Sequence, residues 1–255
     1  MREVWRGEDV ETRRVDCIVI KKGRMIMKTK IAMTAMLVMC GILALGGVLL
    51  ARPAAGDVTI SMNRNSGEVA SRAFRFAEVP SPIKDNAAAK ASLMIVDGEI
   101  DGNSAALSAL TDGMLPGEED EPDANFFFEA GTWGGRFRMD FANAIEIAQV
   151  NTYSWHPNTR GPQVYKVYGS DGTGANFNGA PKANIDPVSC GWKLIASVDT
   201  RTQFGENGGQ YGVSVSGAAG SLGKFRYLLF SVFQTEVDDE FGNTFYSEID
   251  VIAKK

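Results

Sequence analysis

From residue 134 to the C terminus, apolar and polar residues alternate in one short run after another, and a period of two is the signature of strands. The runs are RFRMDFA from Arg136, IEIAQVNTYSW from Ile145, PQVYKVYGS from Pro162, WKLIASVD from Trp192, YGVSVSG from Tyr211, KFRYLLFSVF from Lys224 and FYSEIDVI from Phe245. Loops rich in Gly, Asn and Pro separate them, such as DGTGANFNGAPKANIDP from Asp171 and FGENGGQ from Phe204. No helix-sized segment alternates with the strands and no internal repeat recurs, so a β-sandwich is the expected architecture.

Upstream the signals are sparser. Ser92–Val96 (SLMIV) is one apolar run, followed by turn signals at Asp97-Gly98 and Asp101-Gly102. Asp97, Glu99 and Asp101 imitate the start of an EF-hand loop. Its twelfth position is Ser108 rather than the bidentate Glu such a loop needs, so that motif is rejected. A helical turn is expected around Ser104–Leu110, and PGEEDEPDAN from Pro116 is too acidic and Pro-rich for the core. Residues 57–84 are polar and mixed, end in Pro80-Ser81-Pro82 and read as a linker, with Phe74 and Phe76 alternating within it.

The N-terminal part has a different character. Ile31 to Ala51 is an uncharged apolar run preceded by Lys28 and Lys30 and followed by Ala54-Ala55-Gly56. That pattern predicts a signal peptide over 27–56 with cleavage before Asp57, and its length also suits an uncleaved membrane-anchor helix. Met39 is too bulky to precede a lipidated Cys40. Residues 1–26 form an extension ahead of a start at Met25 or Met27, or else a cytoplasmic tail on an anchored chain. The expected location is therefore outside the cell or in the cell envelope.

Charge divides at the same boundary. Before Asp57 there are 10 Lys/Arg against 5 Asp/Glu, and from Asp57 onward 16 against 26. An acidic body lacks the basic footprint that nucleic acid or an anionic membrane requires, leaving neutral sugars, cations or proteins as partners. Of Cys17, Cys40 and Cys190 only the last follows the signal, so an exported domain carries no internal disulfide.

In order and spacing, several of these segments resemble one family. They are Leu110-Thr111-Asp112-Gly113, the strand ending Met139-Asp140-Phe141, IEIAQVNTYSW, PQVYKVYGSDG, GWKLIASVDT, KFRYLLFSV and YSEIDVI. The family is the discoidin or coagulation-factor C-type (galactose-binding-like) domain, whose fold many bacterial carbohydrate-binding modules share. The resemblance covers about residues 85–255. It implies an all-β jelly-roll sandwich of about eight strands that binds ligands through loops at one end. Relatives bind galactose-type sugars, lipid headgroups, collagen or protein receptors, so fold leaves the ligand open. This chain lacks the terminal disulfide of vertebrate members and the basic and apolar spikes of lipid binders. The resemblance further implies a structural Ca2+ held by Asp112 and Glu248, with carbonyls around Ser108–Thr111.

Trp155-His156-Pro157-Asn158-Thr159-Arg160 is the most ligand-like stretch, because sugars need an apolar face and planar polar groups. Trp155, His156, Asn158 and Arg160 are the candidate contacts, with Trp133 and Tyr211, beside Phe204, as stacking platforms. Each also has a plainer reading, with Trp155 capping the core and Arg160 paired with an acid. His156 is the sole histidine, so a triad or a His-based metal site would rest on it alone. The acidic clusters Glu118–Asp123 and Asp238–Glu240 admit a glycosidase-like pair, although acidic surface loops are commoner. The expectation is an exported, non-catalytic carbohydrate-binding or adhesion module. An envelope protein-interaction domain is the alternative, and a divergent hydrolase the third reading.

Overall fold

The structure is a computed structural model and describes residues 58–235 and 243–255. The extension 1–26, the signal or anchor helix within 27–56 and the carboxylates Asp238–Glu240 lie outside the described residues. Eight strands carry the described fold: β1 Val58–Asn65, β2 Ser92–Asp97, β3 Gly134–His156, β4 Val164–Ser170, β5 Lys193–Asp199, β6 Gly209–Gly217, β7 Gly223–Phe233 and β8 Tyr246–Ala253. All pairings are antiparallel. Among the described residues helix is limited to short turns, including Leu107–Thr111, close to the expected one.

The runs from Arg136 and Ile145 belong to one 23-residue strand, β3. Its first half pairs with β2 and with β7, starting at Gly134↔Phe233. Its second half pairs with β6, ending at His156↔Gly209, and with β8. Register breaks between Asp140 and Ile145, where Ala142 has φ 64° and donates its N–H to Asp140 Oδ1 at 2.8 Å. This bulge bends β3 and divides the sheet into two leaves, β5-β4-β7-β3-β2 and β1-β6-β3-β8. The leaves face one another, since Thr152 Oγ1 on β3 lies 3.0 Å from the Tyr165 hydroxyl on β4.

Between them lies the core, built from inward positions spaced by two. β3 gives Phe137, Met139 and Val150, β6 gives Val213 and Val215, β7 gives Leu228, Phe230 and Val232, and β8 gives Ile249 and Val251. Each contributes roughly 1.5–3 kcal/mol on burial.

Both outer faces are covered as well. On the β1-β6-β3-β8 leaf, Phe74, Phe76 and Val79 pack on Tyr153 and Trp155. Polar side chains of the strands grip the backbone of this strap. Asn63 Oδ1 accepts from Glu78 N and Val79 N, Gln210 Nε2 donates to Ser71 O at 2.8 Å, and Asp250 Oδ2 accepts from Ile83 N at 3.1 Å. Gly212 leaves room for the Phe76 ring, which a Cβ would meet at 2.6 Å. Residues 58–84 therefore belong to the fold rather than to a linker. Their sequence reads as a linker because the outward positions of β1 are the polar Thr59, Ser61, Asn63 and Asn65, of which the half-buried Asn63 and Asn65 hydrogen-bond the strap backbone.

On the other leaf the β4–β5 connection, residues 171–192, lies over the sheet. Phe177 and Trp192 pack with Tyr168, Tyr227 and Leu229. Arg136, buried on β3, fastens it: Nη1 donates to the carbonyls of Pro181, Lys182 and Ile185 at 2.9, 2.6 and 2.9 Å.

Candidate functional site

The loops before β3, after β3 and after β5 gather with residues 234–235 and 243–245 at the end of the sandwich where β3 both begins and finishes. They are stitched by hydrogen bonds. Gln234 N donates to Trp133 O at 3.0 Å, Thr235 Oγ1 to Thr159 O at 2.5 Å, Phe245 N to Arg160 O at 2.9 Å and Asn243 Nδ2 to Glu129 O at 2.6 Å. Trp133 and Asn158 thus sit on connected loops.

The sequence candidates separate by burial. Phe127 and Phe245 stack with centroids 4.0 Å apart. The Arg160 guanidinium covers both, at 4.7 Å and 4.0 Å, while its Nε donates to Asn243 O at 3.3 Å. Arg160 is therefore held against the loop rather than extended toward a ligand. His156 is buried edge-on to Phe245 at 4.5 Å. Its Nδ1 accepts from Asn158 N at 3.3 Å and its Nε2 lies 3.6 Å from Asp120 Oδ1. Burial first, and the Arg160 charge second, push the imidazole down to about 4, and Asp120 only partly opposes them. At neutral pH His156 is uncharged.

Tyr211 does not serve as a platform. It is fully buried, its hydroxyl donates to Asn207 O, and Phe204 meets its ring edge-on. The reason is register: Tyr211 pairs with Ser154 and shares the inward parity of Val213 and Val215. Trp155 points outward but is covered by Phe74, leaving it 6% exposed. Trp133 is 38% exposed, against 3% for Trp192, so it alone among the described tryptophans is substantially open to solvent. Phe233 stands beside it at 6.2 Å, and Asn158 and Glu129 are exposed.

A second feature emerges only in three dimensions. Gly67 and Glu68 of the strap and Gly117, Glu118 and Glu119 of the acidic loop close with Trp155 around a cleft of about 590 Å3. The acidic loop is pinned there by Glu121, which accepts from Gly117 N, and by Arg72 Nε donating to Gly117 O at 3.3 Å. Glu68 is 50 residues from this loop, and the sequence carries no local signal that they meet.

Glu248 lies on the outer side of β8 opposite Tyr153 and is fully buried. Its Oε2 accepts from Gly113 N at 3.0 Å, whereas Oε1 is buried without a partner. Burial, then the charge of Asp250 and, more weakly, that of Asp112, push its carboxyl up to about 9; burial also lifts Asp250 to about 6. Asp112 follows the Leu107–Thr111 turn, and its Oδ1 accepts from Met114 N at 2.8 Å. Among the described residues no three His, Cys, Asp or Glu side chains converge as metal ligands. An orphaned, buried carboxylate oxygen next to a second carboxylate and a carbonyl-rich turn nevertheless fits a hard cation that takes main-chain oxygens as its other ligands.

No protein-family model matches the chain, and no curated protein matches it. Solved structures do match. GH31 CBM32-2 bound to GalNAc is 10% identical with a TM-score of 0.42, over 64% of this chain and 97% of that one. Chitosan-binding module 2 of the chitosanase/glucanase from Paenibacillus sp. IK-5, in complex with chitotriose, is 13% identical with a TM-score of 0.40, over 66% and 99%. CpGH89CBM32-5 from Clostridium perfringens, in complex with GalNAc-beta-1,3-galactose, is 12% identical with a TM-score of 0.40, over 66% and 100%. Several of the matching structures are carbohydrate-binding modules of family 32.

Proposed function

We propose that the chain is a non-catalytic carbohydrate-binding module that takes its ligand at the loop end of the sandwich. The exposed indole of Trp133 carries this reading. A partly exposed aromatic ring at a strand end, on loops that also carry the exposed polar side chains of Glu129 and Asn158, offers a sugar an apolar surface to stack on and partners for its hydroxyls. The sole histidine supports a non-catalytic role, being buried, neutral and occupied by Asn158 N–H. A glycan array probed with the full chain tests it. A defined sugar should be bound, and Trp133→Ala should weaken that binding by roughly tenfold or more while leaving Tm unchanged. A folded chain that binds no sugar would move the reading to an envelope protein-interaction domain.

Export belongs to the same proposal and rests on the Lys28–Gly56 pattern of charge, apolar run and small residues. Expressed in a bacterial host, the protein should be recovered outside the cytoplasm with Asp57 as its first residue. Recovery from the cytoplasm with residues 27–56 intact would overturn export. Calcium is the third element of the proposal, with Asp112 and Glu248 as its carboxylate ligands and a purely structural role.

A further inference from the structure

We propose that the cleft beside the C-terminal end of β8 is a second binding site, which takes a free aliphatic carboxylate of the medium-chain fatty acid type. It stands apart from the glycan reading, because β8 pairs with Ser154 at its loop end and with Ile147 at this one.

Three pieces of chain leave the cleft between them. The chain leaving the strap crosses the edge of β8, with Ala87 N donating to Val251 O at 2.9 Å and Val251 N to Asn86 Oδ1 at 3.2 Å. The bulge interrupts the pairing of β3 until Ile145, and beyond β8 the chain follows β3, with Lys254 N donating to Glu146 O at 2.8 Å. The concavity measures about 560 Å3, within the range of small-molecule sites. Its walls are Ile83, Ala87, Ile145, Val251, Ile252 and Ala253. Ile83 is 46% exposed although Asp250 Oδ2 fixes its N–H, so the apolar wall is both held in place and open to water. Apolar surface left open in this way marks a ligand site.

The rim supplies the charge. Lys90, Lys254 and Lys255 stand there against Asp85, in a chain that from Asp57 onward carries 16 Lys/Arg and 26 Asp/Glu. Lysine stems extend an apolar wall while their ammonium groups stay in water. Lys90 is paired with Asp85 at 3.4 Å and Lys254 with Glu146 at 3.0 Å, but these side chains are 46% to 94% exposed. Pairs so open contribute little and exchange readily for a ligand carboxylate. One alkyl chain for the walls, ending in one carboxylate for the rim, matches both features.

The test is calorimetric titration of the full chain at pH 8 with dodecanoate and with dodecyltrimethylammonium, both below micelle formation. One dodecanoate per chain should bind, roughly tenfold or more tightly than the cation. Ile83→Asp, at an exposed position, should weaken dodecanoate by roughly tenfold or more with Tm unchanged. Lys90→Gln/Lys254→Gln should erase the preference for the anion. Equal affinity for the two amphiphiles, an Ile83→Asp variant that binds like the parent, or no binding of dodecanoate overturns the site. Retention on phosphatidylglycerol vesicles without binding of dodecanoate overturns the free acid as occupant. None of these changes touches Trp133, so the glycan array decides its own reading separately.

Discussion

In the presence of a chelator, Glu248→Gln raises the expected melting temperature at pH 8 by about 10 °C and removes any response to calcium. The carboxyl of Glu248 ordinarily titrates at 4.5, and in the fold it is pushed up to about 9. Between those values the folded chain holds a proton that the unfolded chain has released. Stability from this group is therefore complete below about pH 4.5 and is lost as pH rises toward 9. Asp250, raised from 3.8 to about 6, adds a loss of the same sign at lower pH. By pH 8 the burden from Glu248 is on the order of 4 kcal/mol. An amide at 248 carries no such burden. On the proposed calcium site, a bound ion would offset it in the parent, which should then gain several degrees on saturation by linkage. Calorimetric melts at pH 5 and pH 8, with chelator and with calcium, decide the matter. Parallel pH profiles for parent and variant sink the assignment of Glu248, and a parent indifferent to calcium sinks the metal.

Arg136→Met is expected to lower stability by about 3 kcal/mol, or roughly 6–12 °C in Tm. One guanidinium nitrogen satisfies three carbonyls of the connection over residues 171–192, and burial has already lowered the pKa of the side chain. Methionine matches the stem in volume but leaves the three carbonyls to find other donors. Arg136→Lys should rescue little, because an ammonium on a shorter stem does not reproduce the fork. The damage should be local before it is global, with proteolytic nicking inside 171–192 at temperatures where the sandwich still holds. A variant melting within about 2 °C of the parent would show that the connection holds itself in place.

Strands were legible wherever the inward positions are apolar. RFRMDFA, KFRYLLFSVF and YGVSVSG alternate with the periodicity that their burial requires. β1 alternates too, but its outward Asn63 and Asn65 grip the strap instead of facing water, and polarity was read as exposure. The bulge at Ala142 made one strand look like two, since a break in period cannot be told from a turn without the register. At the candidate site, parity identifies which face a residue takes but not what covers that face. Trp155 is outward by parity and is hidden by Phe74 from 81 residues away. Tyr211 fails by parity alone once its register with Ser154 is known. Trp133 sits just before β3 beside Phe233 and stays 38% exposed. The partners of Glu248 lie more than a hundred residues upstream, so its orphaned oxygen had no signature in the sequence.

β3 is the strand on which β2, β6, β7 and β8 all form, and β8, at residues 246–253, is the last of the eight in chain order. A nascent chain on the ribosome therefore holds the central strand without three of its partners until β6, β7 and β8 have followed it. Pairing β1 with β6 closes a loop of nearly 150 residues, and the two leaves share one backbone, so neither can be completed early and kept. Such a topology folds late and from distant contacts, in milliseconds to seconds rather than microseconds. Until β8 has emerged and paired, the apolar row of Phe137, Met139 and Val150 remains a surface for chaperones to cover.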